Sequence, residues 1–496
     1  MHRTDSEINA IPDNVWLEVF DFCKKNQDLY YAYGCHFHSN WDWHRLTQVC
    51  SKWRSIIFSS PRRLGLRLLC TNGTPVKRNL GSWPPLPLII DYSTSRDVDN
   101  CKNLTPSDED NIVSALEASD RVRYVGISVT SSNSLLGKMT TETKQFPSLA
   151  HLSLTSKDDN VPTIPDGFLG SSAPGLRVAH LEGIPFTAFP TLLSTRSLVD
   201  LRLLNIPREG YIPPEAMATS LAALTGLRTL LIGFKSPPRS RETRCQHRRR
   251  TCLPSLTTFG FHGVAEYLED LVSLIDTPQL GYFRISYFNQ LDFQVPVPKL
   301  SDFIGRTQNL YMAEFKHARI DFGLNGVYII LYYEREKLLD GNHFSLQISC
   351  RGLDWQVSHI AQTLSQTSAM ISNVQDLAIE AREPDMLSDG KDFMDDTEWL
   401  ELLRLFTAVK TLHVSEKLAG YVACGLEGVT EETATGILPD LQSLCLEGAS
   451  STSVGRFVAV RQLSGLVPVT FLDPPAEMIF ERSESHSEIV SPYSSD

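Results

Sequence analysis

The frame Leu-x-x-Leu-x-Leu constrains this chain more than any other feature. It stands as Leu149, Leu152 and Leu154 in FPSLAHLSL, and again as Leu198, Leu201 and Leu203 in SLVDLRLLN. Leu227, Leu230 and Ile232 repeat it, as do Leu441, Leu444 and Leu446. Looser copies begin at Val122, Leu176, Leu256, Leu280, Leu310, Val374 and Val409, with a degenerate one near His343. These twelve starts are spaced by 22 to 35 residues. A chain of 496 residues exceeds one compact core of ordinary size, so it needs several domains or an architecture that grows in one direction. A recurring frame selects the second.

Helical patterns lie between the frames. Pro213 to Thr225 opens with prolines suited to a first helical turn and continues in good helix formers. Val264, Leu268, Leu271 and Ile275 share one helical face, and so do Leu400, Leu403 and Phe406. A short strand, a turn and a helix make the leucine-rich-repeat unit, whose inward leucines are covered only by neighbouring units. The expected fold class is therefore α/β: a small N-terminal helical domain, then an irregular leucine-rich-repeat solenoid with a curved parallel sheet. Leu152, Leu201, Leu230, Leu377, Leu412 and Leu444 should be buried. The expected divisions are a helical domain at 1–70, a Gly- and Pro-rich connector with a first strand at 71–106, repeats at 107–470, and a polar, Ser-rich tail at 471–496 that is expected to be disordered.

The first seventy residues carry two apolar helical patterns. Ile11-Pro12-Asp13-Asn14 is a helix-start signature, followed by Val15, Trp16, Val19 and Phe20. WHRLTQVCSKWRSIIFSSP places Leu46, Val49, Cys50, Trp53 and Ile57 on a second stripe. The Ile-Pro start, the apolar helix and the Val-Cys-x-x-Trp-Arg core (Val49, Cys50, Trp53, Arg54) together resemble an F-box, and its coupling to leucine-rich repeats strengthens the likeness. The continuation SSPRRLGLRLLCTNGTPVKRNL resembles F-box proteins of mushroom-forming fungi. Lys24 to Trp41 is longer than a minimal F-box has there, and is read as a loop insertion.

The resemblance implies a partner, the Skp-type adaptor of a cullin-based ubiquitin ligase. A domain this small completes its core against another protein. Ile11, Pro12, Val15, Val19 and Phe20, with Leu46, Val49, Cys50 and Trp53, would divide between that adaptor surface and the domain's own core. The basic residues between His44 and Arg54 would be a solvated side or the rim facing an acidic partner.

Other chemistry finds little purchase. RIDFGL (Arg319 to Leu324) copies a kinase Asp-Phe-Gly, without the Gly-rich loop, strand lysine and His-Arg-Asp loop that a kinase needs. Cys35, His36, His38, His44 and Cys50 lack the paired spacing of a zinc site, so neither metal nor cofactor is expected. No catalytic constellation is found, and the chain is not expected to be an enzyme. The formal charge of -12 argues against general nucleic-acid binding. The arginine-rich run Arg239 to Cys252 is read as a solvated loop insertion, with a nuclear-localisation or nucleic-acid patch as the alternative. No apolar run reaches a membrane-spanning length or marks a secretory leader, and ten scattered cysteines suit a reducing compartment, so cytoplasm or nucleus is expected.

The function expected is that of a substrate-recognition subunit of an SCF-type ligase, with the repeats holding a target protein. The rival is a leucine-rich-repeat scaffold without a ligase role. Residues between the inward leucines must face the other side of each strand. That places Asp200, Arg202, Tyr282, Arg284, Met312, Glu314, Lys316 and His413 on one surface. Tyr282, Arg284, Met312 and Glu314 are expected side by side at the centre of a target site, because aromatic, Met and Arg side chains favour interface centres.

Overall fold

A computed structural model of the chain describes residues 11–25, 43–61, 63–72, 76, 80–81, 85–93, 104–130, 135–139, 145–158, 163–165, 168–169, 172–186, 193, 195–237, 250–288, 298–311, 314–333, 343–382, 396–448 and 454–472. Residues 26–41 of the insertion between the N-terminal helices, nearly all of the arginine-rich run and the tail beyond Leu472 lie outside the described residues, and Lys24 and Lys25 close the first helix. The chain divides into two compact units, residues 1–198 and 199–496.

The first unit starts with helices α1 (Asp13–Lys25), α2 (Trp43–Leu46) and α3 (Ser51–Ser59). Strands β1 (Leu68–Cys70), β2 (Leu88–Tyr92), β3 (Val122–Ser128), β4 (His151–Thr155) and β5 (Val178–Glu182) follow, each parallel to the next. The leucine frame sets their register. Val125 lies beside Leu152 and Leu152 beside Ala179, while Ile127, Leu154 and Leu181 form a second row.

The second unit repeats that logic over β6 (Asp200–Ile206), β7 (Thr229–Phe234), β8 (Thr251–Cys252), β9 (Thr258–Gly263), β10 (Ile275–Asp276), β11 (Tyr282–Tyr287), β12 (His317–Gly323), β13 (Gly326–Tyr332), β14 (His343–Ile348), β15 (Asp376–Ala381), β16 (Thr411–Val414), β17 (Ser443–Leu446) and β18 (Thr470–Phe471). β8 and β10 pair only with each other. The remaining strands lie in the order β6-β7-β9-β11-β14-β13-β12-β15-β16-β17-β18. Leu201, Leu230, Phe259, Phe283 and Phe344 sit side by side, and Ala318, Leu377, Leu412 and Leu444 do the same beyond the hairpin. All are at most 2% exposed.

Helices return along the face that these rows bury. Those at Pro214–Leu221, Ala265–Leu274 and Pro298–Arg306 pack in succession, as do those at Leu353–Gln366, Asp396–Arg404 and Glu416–Glu427. One link between returns is polar. The buried Glu269 carboxylate accepts from the backbone N–H groups of Lys299 (2.9 Å) and Leu300 (2.8 Å), which the first turn of the next helix leaves without partners of its own. Burial pushes the Glu269 carboxyl above its usual range, against the pull of those two donors.

Two repeats differ from the sequence reading, and the difference moves a candidate site. The frame expected at Leu310 falls on a short helix, Gln308–Tyr311, and the strand instead uses Phe315, Ala318 and Ile320. The frame near His343 buries Phe344 and Leu346 in line with Phe283 and Ile285. Between these strands β13 runs antiparallel to both β12 and β14, so the sheet is parallel-dominated and not parallel throughout. The cause is local: Gly323 pairs with Gly326 across a two-residue loop, Leu324-Asn325, that turns the chain back at once.

The rows should dominate stability. Leu230→Ala or Leu412→Ala, each at a fully buried position, should cost about 2–5 kcal/mol in chemical denaturation. A loss below about 0.5 kcal/mol, ordinary for a surface change, would contradict the row as the stabilising element.

Candidate binding surfaces

The N-terminal surface is built by two helices that share an aromatic contact. Trp16 and Phe20, one turn apart on α1, meet Trp53 of α3 with ring centroids 4.8 and 5.1 Å away. Phe20 is 1% exposed. Cys50 caps α3, its Sγ accepting from the Trp53 backbone N–H at 3.4 Å. Lys52 Nζ donates to the Ile11 carbonyl at 2.8 Å, and Arg54 Nε to the Thr47 carbonyl at 2.9 Å. Both basic side chains thus hold backbone carbonyls of their own domain, while Arg54 stays exposed and Lys52 half-buried. His44 has no described side chain.

The other side of α1 is uncovered. Ile11, Val15, Val19 and Phe22 are spaced i, i+4, i+8 and i+11, and are 36%, 44%, 43% and 70% exposed. Val49, in the turn before α3, is 54% exposed. α1 thus carries two apolar faces, one against Trp53 and one open. The nine residues expected to serve both purposes separate accordingly: Ile11, Pro12, Val15, Val19 and Val49 are exposed, Phe20 is buried, and Leu46, Cys50 and Trp53 are intermediate. Phe22 was overlooked, although it continues the Val15 stripe at i+7.

In the second unit, the sheet face opposite the buried rows displays polar and aromatic residues. Asp200, Arg202, Tyr282, Arg284 and His413 lie there, at positions between frame residues, and each is half-buried. Glu314 and Lys316 precede β12 and are not strand residues, while Met312 lies outside the described residues. The strands beside β11 are β9 and β14, so Tyr282 and Arg284 adjoin His343 and Ser345, not Glu314. The frame shift of five residues, from Leu310 to Phe315, accounts for this. His317, Arg319 and Asp321 take the outward positions of that repeat.

Charge on this face is mostly paired. Arg202 holds Asp200 through Nε and an Nη, both at 3.0 Å. Arg319 bridges Asp321 at 2.7 Å and Glu380 at 2.8 Å. His317 Nδ1 lies 3.0 Å from Asp376, and His413 Nε2 lies 3.0 Å from Glu447. Aromatic rings fill between these pairs. Tyr282 meets His343 edge-on at 3.7 Å, and His317 stacks on Tyr332 at 5.3 Å. Burial raises the Tyr282 phenol above its usual range, with Arg284 opposing and Tyr328 adding to the shift. Among the described residues there is no cluster of three or more metal-ligating side chains, and no helix is long and apolar enough to cross a membrane.

No protein-family model matches the chain, and no curated protein does. Among solved structures it is similar to a leucine-rich repeat-containing protein, LegL7, from Legionella pneumophila, at 11% identity. The match covers 82% of this chain and 99% of that one, with a TM-score of 0.23. A likeness so distant carries no argument, and the fold stands on its own strand register.

Arg319 offers a direct test of the paired face. Arg319→Met leaves Asp321, 5% exposed, and Glu380 without their cation, and should cost about 1–3 kcal/mol in chemical denaturation. A change within about 0.5 kcal/mol would show that the pairs are ornamental to the face.

Proposed function

We propose that the chain is the substrate-recognition subunit of a cullin-based, SCF-type ubiquitin ligase, with α1–α3 docking an Skp-type adaptor and the polar sheet face of the second unit holding a target protein. One observation carries the reading. The helices whose residues resemble an F-box expose Ile11, Val15, Val19, Phe22 and Val49 while their opposite sides are packed. Apolar side chains gathered on one helix side and rimmed by polar residues mark an interaction site, and burying each would contribute roughly 1.5–3 kcal/mol.

In this reading the chain supplies no catalytic group and needs no cofactor. Its contribution is proximity: holding a target close to a ubiquitin donor raises the effective concentration of a target lysine and orders the encounter. Specificity then belongs to the sheet face, and assembly to the N-terminal helices. The rival, a repeat scaffold with no ligase role, requires neither adaptor nor cullin.

Binding of the full chain to a purified Skp-type adaptor separates the two. The wild-type chain should form a stable complex, and Val15→Asp with Val19→Asp should weaken it at least about tenfold, since each places an unpaired carboxylate in an apolar contact. Both positions are exposed, so thermal unfolding should not move. Failure of the wild-type chain to bind, or undiminished binding by the double variant, would overturn the proposal.

A further inference from the structure

The buried row of the second unit runs out at its last strand. Ala318, Leu377, Leu412 and Leu444 are each at most 2% exposed, with a neighbour on the next strand. Phe471 of β18 is the lateral partner of Leu444 and takes the next place in that row, yet it is 38% exposed. β18 ends the sheet, and among the described residues no strand lies beyond it. Leu463, Val467 and Leu472, close to it in sequence, are exposed as well. β1 in the first unit makes the contrast: it too has a single partner strand, but Leu68 and Cys70 are buried.

The backbone at this edge is as incomplete as the row. Thr470 and Leu472 donate their N–H groups to the carbonyls of Gln442 (2.8 Å) and Leu444 (3.0 Å), so both turn their backbone groups toward β17. Alternate residues of a strand direct these groups to opposite sides, which leaves the Phe471 N–H and carbonyl on the open edge. A strand edge with apolar side chains around it is a template for one further strand. Charge narrows the choice of that strand. Residues 454–472 include Arg456 and Arg461 and no acid, so a segment that carries carboxylates suits the site.

We propose that the chain's own residues Met478, Ile479 and Phe480 close this edge, pairing antiparallel with β18. They are the one run of three large apolar residues in 473–496, and Glu477 and Glu481 bracket them. Ile479 opposite Phe471 brings Met478 opposite Leu472 and leaves the five residues 473–477 as the connection, a length that antiparallel hairpins use. Pro474 and Pro475 fall in that connection, where a missing N–H takes nothing from the ladder. Ile479 then stands next in line after Leu444 and Phe471, and covers the ring that the last repeat leaves in water. A segment tethered this closely has a high effective concentration at the edge, which favours it over a second molecule adding there.

Hydrogen–deuterium exchange of the full chain, resolved to the Phe471 amide by fragmentation mass spectrometry, tests this. The amide should exchange at least about tenfold more slowly in the wild-type chain than in Ile479→Asp, which puts a carboxylate into the apolar row. Ile479→Pro, which removes the ladder donor, should release the amide too. Ile489→Asp, a change of the same kind outside the segment, should leave the protection as it is. The amides of Leu412 and Leu444 should exchange alike in every variant, which shows the repeats intact. An unprotected Phe471 amide in the wild-type chain, or protection that survives Ile479→Asp, would overturn the proposal. So would protection that disappears on dilution as a dimer dissociates in light scattering, since the edge would then belong to a second copy.

Discussion

Lateral stacking of frame residues is the constraint on which the rest depends. In the second unit Leu201, Leu230, Phe259, Phe283 and Phe344 lie along one row, each flanked by its neighbour on the next strand. A single unit of this kind has no core, so register must be kept from strand to strand. A slip by one residue would turn every leucine to the opposite face. The same rule decides which side chains face outward: once the rows are buried, Arg284, Ser345 and Arg319 have only the other side available. The polar face is thus a consequence of the core.

The N-terminal helices obey a different balance. The Trp16–Phe20–Trp53 contact consumes one side of α1. What remains apolar, Ile11, Val15, Val19 and Phe22, has no partner surface among the described residues of its own unit that removes it from water. In the proposed assembly that exposure is the function of the helix, since a second protein supplies the missing half of its core.

Much of this was legible beforehand. The frames at Leu152, Leu201, Leu230, Leu377, Leu412 and Leu444 all lie in strands or beside them with buried leucines, because a period of large aliphatic residues has one physical reading. The error at Leu310 has a physical reason as well. The true frame uses Ala318 in a leucine position, where the row narrows, while Leu310, Ala313 and Phe315 imitate a frame just upstream. The hairpin that follows lies outside the repeating frame: β13 pairs antiparallel, and its turn is marked only by Gly323 and Gly326 around two residues. Arg461 was beyond reach altogether. It is 1% exposed, and its guanidinium donates to the carbonyls of Leu438, Pro439 and Leu441, a role that composition and spacing do not announce.

Strand order around the hairpin is the sharpest consequence of the row principle, because it decides what lies beside Arg284. Ser286 of β11 and Gln347 of β14 are lateral partners joined by a hydrogen bond of 3.3 Å, whereas Asp321 belongs to β12, two strands further on. Cysteines introduced at Ser286 and Gln347 should form a disulfide under mild oxidation of the folded chain, since lateral partners meet the distance a disulfide requires. Mass spectrometry of the cleaved peptides should find that link, and should find none between cysteines at Ser286 and Asp321. A link in the second pair and none in the first would place β12 directly after β11, and the account of both the core and the face would fail.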